Sequence, residues 1–349
     1  MTVTVTGPRP TPVETITAGD GAFDPAALIA GDRPVVVKGL AADWPMVARG
    51  RDGAASAIAY LKSFDAGRPV VGFTGPPAIG GRFFYTDGIT ALNFAASRVG
   101  LSDFLDRIAT APDQTAGEGD SFYVGSTDLD TYLPGFRADN DLGLDPAALD
   151  GATPMVGIWI GNRTVAATHY DMSNNIACCL VGRRRFTLFP PDQVANLYPG
   201  PLEPTPGGQV VSMVDLRAPD LARYPHFADA LAAAYVADLD PGDVLVYPAL
   251  WWHNVEALDA VNVMVNYWWN PSPRFMDTPM NTLLHGMLSL RDRPDQEKRA
   301  WRAMFDYYIF GEADRAAAHL PPHARGPLGA LDETGARRLR AQLLNRLNR

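Results

Sequence analysis

What most constrains this chain is a succession of short β-type runs through its middle, each closed by turn residues. Phe122-Tyr123-Val124, Val156-Gly157-Ile158-Trp159-Ile160, Ile176 to Val181 and Phe186-Thr187-Leu188-Phe189 are rich in β-branched and aromatic residues. Gly, Asn, Asp and Pro stand between them, a spacing that predicts antiparallel sheets. Pro190-Pro191-Asp192 stops one strand sharply, and Gln193 to Leu197 predicts a helical turn. Gln209 to Val214, Asp243 to Tyr247 after the Asp240-Pro241-Gly242 turn, and Val261 to Trp269 extend the series. About eight such strands suit a jelly-roll barrel, whose interior can hold a small ligand.

Where one of these strands begins, His169 and Asp171 stand two residues apart in Thr168-His169-Tyr170-Asp171-Met172-Ser173-Asn174-Asn175. On a strand, residues i and i+2 project from one face, so both can address one ion while Tyr170 points away. A His-x-Asp triplet alone is weak evidence, but this one sits where a loop enters an apolar strand, a usual place for a site. His253, in Trp251-Trp252-His253-Asn254, is the best third ligand, although a histidine beside two tryptophans also reads as a core residue. Two imidazoles and one carboxylate make the facial triad of non-haem Fe(II) oxygenases and leave positions open for a cosubstrate and O₂.

Around this centre the chain divides into three stretches. Residues 1–30 read as an N-terminal arm, 31–275 as the jelly-roll domain and 276–349 as a helical region. Within the domain, Pro34 to Gly39 and Pro69 to Phe73 predict strands, Gly80 to Tyr85 begins another, and Ala54 to Phe64 predicts an amphipathic helix. Ser102 is the expected N-cap of a helix through Phe104, Leu105 and Ile108. Thr278 to Leu290, Gln296 to Phe310 and Ala336 to Leu347 predict three C-terminal helices. Leu339, Leu343, Leu344 and Leu347 concentrate apolar surface in an Arg-rich end, which predicts a homodimer.

The net charge of −9 and pI near 5.1 argue against nucleic acid as a partner, because such binding needs a basic face. The two cysteines, Cys178 and Cys179, are adjacent within an apolar run, which excludes a disulfide framework and a thiolate metal site. No charged leader with an apolar segment opens the chain and no run of about 18 apolar residues occurs, so no membrane role is expected and the expected location is cytoplasmic.

Together these residues resemble the JmjC-type, cupin-like branch of the Fe(II)- and 2-oxoglutarate-dependent oxygenases, in pattern nearest the hypoxia-inducible-factor asparaginyl hydroxylase type. The matching text is His169-Tyr170-Asp171, Gly182 before basic residues, Leu188-Phe189-Pro190-Pro191-Asp192-Gln193, Leu197-Tyr198-Pro199, Trp251-Trp252-His253 and Val265-Asn266-Tyr267-Trp268. Arg33-Pro34-Val35-Val36 and Trp44-Pro45 fit the N-terminal part of that family. The fold implied is mostly β with helices: a double-stranded β-helix (jelly-roll, cupin-like) core with N-terminal α/β additions and C-terminal helices.

The resemblance implies that His169, Asp171 and His253 bind Fe(II), and that Tyr123, Asn175 and Asn266 contact the 2-oxoglutarate cosubstrate. Two positions depart from the family. Its lysine for the far carboxylate of 2-oxoglutarate is matched by Arg184, and its threonine three residues before the first metal histidine by Ala166. Arginine keeps the charge and can grip a carboxylate with two parallel hydrogen bonds. Strand alternation from Gly182 puts Arg184, Phe186 and Leu188 on one face and Arg183, Arg185 and Thr187 on the other.

The activity implied is a 2-oxoglutarate-dependent dioxygenase, a hydroxylase that uses O₂ and yields succinate and CO₂. Its prime substrate would be a protein, a peptide, an amino-acid-like group or another small molecule, with Trp251, Trp252 and Trp268 as walls of the site. Two alternatives stay open: a metal-binding cupin enzyme that does not use 2-oxoglutarate, and a non-catalytic cupin-like binding module.

Overall fold

The computed structural model describes residues 9–19, 23–112, 119–312 and 314–348. The chain separates into two compact units, Met1–Pro271 and Ser272–Arg349. In the first, successive strands build a barrel: β1 (Met155–Gly161), β2 (Val165–Tyr170), β3 (Asn174–Val181), β4 (Arg184–Phe189), β5 (Tyr235–Leu239), β6 (Val244–Tyr247), β7 (Trp252–Ala257) and β8 (Asn262–Trp269). They alternate between two antiparallel layers, β5-β4-β7-β2 and β6-β3-β8-β1. This is the jelly-roll core implied by the sequence.

Both layers are widened by N-terminal strands. Arg82–Phe83 adds to β2, and Thr11–Pro12 to β5, both parallel. Val35–Lys38 adds to β6 and carries the parallel strand Glu14–Thr17 on its outer side. Beyond β1 lie Ser121–Asp128, Val70–Gly75 and Ala95–Val99. The unbroken apolar run Ile176–Val181 is explained by burial on both faces, since every residue of β3 is buried. Its Ile176, Cys178 and Leu180 share one core cluster with Met46, Leu61 and Phe104 of flanking helices, while Ala177 and Cys179 share another with Phe186, Leu245 and Val255 inside the barrel. Both cysteines are free, buried thiols.

Two expectations change. Gln209 to Val214 forms no named strand, because its backbone is divided between single bridges, Val211 to His169 and Ser212 to Pro199. Ser102 lies inside the first turn of the Leu101–Thr110 helix, not at its cap; Asp65 accepts both its N–H and its hydroxyl and supplies the capping acceptor from another segment. Of the arm expected over residues 1–30, residues 1–8 and 20–22 lie outside the described residues. The remainder holds the two short strands and a helix, Pro25–Ala30, capped by Asp24. The sequence also hid the helices Pro45–Arg51 and Phe227–Ala233.

The second unit contains helices Pro279–Ser289, Asp295–Tyr308 and Glu333–Leu347. In the middle one Trp301, Met304 and Tyr308 fall at i, i+3 and i+7, and all are exposed. Among the described residues, no helix is long and apolar enough to cross a membrane.

Candidate metal centre

β2 and β7 are antiparallel neighbours, and their register sets His169 directly opposite His253. Paired positions share one face of a sheet, which brings the two ring centroids to 4.3 Å. Asp171 follows the last residue of β2, and its carbonyl accepts the N–H of Leu250, which ties the end of β2 to the entry of β7. Two ring nitrogens and one carboxylate oxygen from these residues lie within 4.8 Å of one another. His253 Nε2 stands 3.7 Å from Asp171 Oδ2.

The rings are fixed in one tautomer. His169 Nδ1 meets the Ala167 carbonyl at 2.8 Å and His253 Nδ1 meets the Trp251 carbonyl at 3.0 Å. A carbonyl only accepts, so each Nδ1 carries a proton and Nε2 is the nitrogen left to face a metal. Burial, and then the nearby His169, push His253 down to about 4, so its ring is neutral at neutral pH. The carboxylate is held as firmly. Asn175 Nδ2 donates to Asp171 Oδ2 at 3.0 Å and Trp268 Nε1 to the same oxygen at 3.2 Å. This donor set fits a divalent transition metal such as Fe(II).

The triad opens into a cavity of about 390 Å³ inside the barrel, lined among others by Tyr123, Trp159, Ala166, Asn266 and Trp268. Of the residues expected to touch a cosubstrate, Tyr123 and Asn266 line it. Burial pushes the Tyr123 hydroxyl up to about 12, with Arg184 acting in the opposite direction. Asn175 is fully buried and is not part of the wall; it stands behind Asp171, and its Oδ1 accepts from Asn266 Nδ2 at 2.6 Å.

Arg184 lies on the same inward face of β4 as Phe186 and Leu188 and is 2% exposed, yet it is not among the residues that line the cavity, whereas Arg183 and Arg185 are exposed and paired with Asp259 and Asp238. Among the described residues, the buried guanidinium has no partner at Nε or Nη2. Burial lowers its pKa, with Tyr123 and Cys179 opposing that effect. An unpaired buried cation is costly, and an anion against these two N–H groups would offset that cost. A dicarboxylate cosubstrate with one carboxylate there fits the residues present.

The expected tryptophan walls divide. Trp268 lines the cavity, but Trp251 is buried against Tyr235 and Trp252 packs on Tyr170 on the other face. Neighbours on a strand point to opposite sides, so Trp252 cannot share the face of His253. Sequence reasoning missed Trp159, whose Nε1 is also buried without a partner among the described residues, and the wall formed by Phe73, Phe83 and Phe94. The period of two along β8 could have joined Asn266 to Trp268; nothing local in the sequence points to the three phenylalanines.

Comparison with known proteins agrees with this architecture. The family described as cupin-like domain matches residues 21–275. HSPB1-associated protein 1 homolog of Danio rerio is 40% identical over 113 residues, covering 32% of this chain and 24% of that protein. Lysine-specific demethylase JMJ31 of Arabidopsis thaliana is 31% identical over 140 residues, 38% of this chain and 25% of its own length. tRNA wybutosine-synthesizing protein 5 of Danio rerio is 29% identical over 199 residues, 52% of this chain and 56% of its own. The chain thus spans between about a quarter and just over half the length of these relatives.

Proposed function

From the membership of this chain in the cupin-like domain family, we propose that it is an Fe(II)- and 2-oxoglutarate-dependent oxygenase, a hydroxylase of a protein, peptide or amino-acid-like substrate. The observation that carries the reading is the pairing of a two-histidine, one-carboxylate cluster with a buried arginine that has no partner for Nε or Nη2 among the described residues of one barrel. A metal site alone would suit many reactions. The arginine adds a requirement for an anionic cosubstrate, and 2-oxoglutarate carries a carboxylate at the far end from its metal-chelating 2-oxo acid.

In this reading His169, Asp171 and His253 hold the iron. When bound with 2-oxoglutarate, iron supplies the chemistry that turns O₂, 2-oxoglutarate and a C–H bond into succinate, CO₂ and a C–OH group. The chain's own residues bind and orient. Arg184 pairs with the distal carboxylate, and Tyr123 stands near it with a hydroxyl that stays protonated at neutral pH. Asn175 and Trp268 keep Asp171 aimed by donating to one of its oxygens. Trp159, Trp268 and Phe83 exclude water from the chamber in which oxygen is activated.

Ala166 on the cavity wall supplies no hydroxyl, which favours a second reading, a non-catalytic binding module. Buried free thiols fit a reducing cytoplasm. The deciding experiment is anaerobic Fe(II) titration followed by measurement of succinate from 2-oxoglutarate and O₂. We expect saturable binding at one iron per chain and succinate formation, both lost in His169→Ala. Iron and 2-oxoglutarate binding without succinate under any substrate would leave the binding module.

A further inference from the structure

The wall of the cavity beyond the triad carries no charge. Among the described residues that line it, His169, Asp171 and His253 are the only acidic or basic side chains, a bound metal would occupy all three, and Arg184 is not part of the lining. The rest is aromatic and aliphatic, with neutral polar groups such as Ser126, Ser173 and Gln209. We propose that the group presented to the triad is an uncharged apolar one, an aromatic or branched aliphatic side chain of a polypeptide or amino acid, and not the ammonium of an N-methylated lysine. This rests on the oxygenase reading above and names its substrate class.

An aromatic wall could in principle cage a methylammonium, so the ring geometry decides. A cation is drawn to ring faces, within about 6 Å of the centroid, and is repelled by ring edges. Here the rings are packed on one another. Phe83 and Trp159 both stack on Tyr123, each at 5.7 Å. Phe94 meets Phe73 at 5.4 Å and Phe83 at 5.2 Å, edge to face. None of these four pairs leaves room for a cation between its own two rings. A methylammonium entering would lose hydration and find, among the described lining residues, no carboxylate beyond the one committed to the metal. An apolar side chain loses no such partner, and its flanking peptide groups can meet the neutral hydroxyls and amide of Ser126, Ser173 and Gln209.

The test uses full-length protein loaded with Mn(II), which is paramagnetic, and 2-oxoglutarate under argon. The probes are N-acetyl-L-phenylalanine amide, N-acetyl-L-leucine amide and N-acetyl-trimethyl-L-lysine amide, and the readout is Mn(II)-enhanced relaxation of probe protons. The apolar probes should bind at least about tenfold more tightly than the trimethyl-lysine probe, a ratio that a single apolar pocket commonly gives. Their side-chain protons should relax fastest. Phe94→Glu should reverse the order of affinity. Equal or tighter binding of the trimethyl-lysine probe by the wild type overturns the proposal, as does apolar binding that Mn(II) does not relax, or no binding of any probe at millimolar concentration. Failure to hold Mn(II) at all would instead sink the oxygenase reading, so the two failures are distinct.

Discussion

Asp171 concentrates more of the site than any other residue. It faces His253 and accepts from both Asn175 and Trp268 through one oxygen. His169→Ala or Asp171→Ala should therefore abolish metal binding in anaerobic titration, and wild-type affinity in either would refute the assignment. Removing a supporting donor should be milder: Asn175→Ala should weaken metal binding by about 10- to 100-fold, read in the same titration. For Arg184 the comparison with its neighbour is decisive. Arg184→Met should lose roughly 3–5 kcal/mol of 2-oxoglutarate binding by calorimetry, as expected when one partner of a buried pair is removed. Arg183→Met breaks only an exposed pair with Asp259 and should leave that binding unchanged.

At the scale of elements, the turn between β3 and β4 sets which arginine faces inward. Gly182 there has φ of +69°, and a Cβ would come within 2.6 Å of the Val261 carbonyl and closer still to the Asn262 side chain. Gly182→Ala should destabilise the protein by about 1–3 kcal/mol in urea titration. It should also weaken 2-oxoglutarate binding while leaving metal affinity near wild type. The inward face of β4 was legible in advance, because alternation across Arg183, Arg184 and Arg185 depends only on the pleat. The His169–Asp171 pair was legible for the same reason. The strand of His253 was not, since Trp251-Trp252-His253 shows no apolar alternation and only its pairing with β2 and β4 defines it. The duty of Asn175 was equally hidden: its amide could serve a cosubstrate or a carboxylate, and only the bend after Tyr170 selects Asp171. The phenylalanine wall draws on three segments that meet solely through the tertiary fold.

For the whole molecule, the terminal unit poses a different problem. Helices Pro279–Ser289 and Asp295–Tyr308 contain no buried residue, and Leu288, Trp301, Met304, Leu343 and Leu347 are exposed. Apolar faces of this kind usually meet a partner, and we expect a homodimer formed through these helices. Light scattering at micromolar concentration should give twice the chain mass of 37.7 kDa. Leu343→Glu combined with Leu347→Glu should give the monomer. A monomeric wild type would end this expectation.

The partnerless guanidinium of Arg184 also bears on how long the protein survives. A ligand that neutralises it binds the folded chain alone, and at a hundred times its dissociation constant such a ligand stabilises by about 2.7 kcal/mol. That is about a hundredfold fewer open molecules for a protease to find. Adding 2-oxoglutarate should slow thermolysin digestion of the wild type and not of Arg184→Met. The abundance of this protein would then follow the supply of its cosubstrate, with no dedicated sensor.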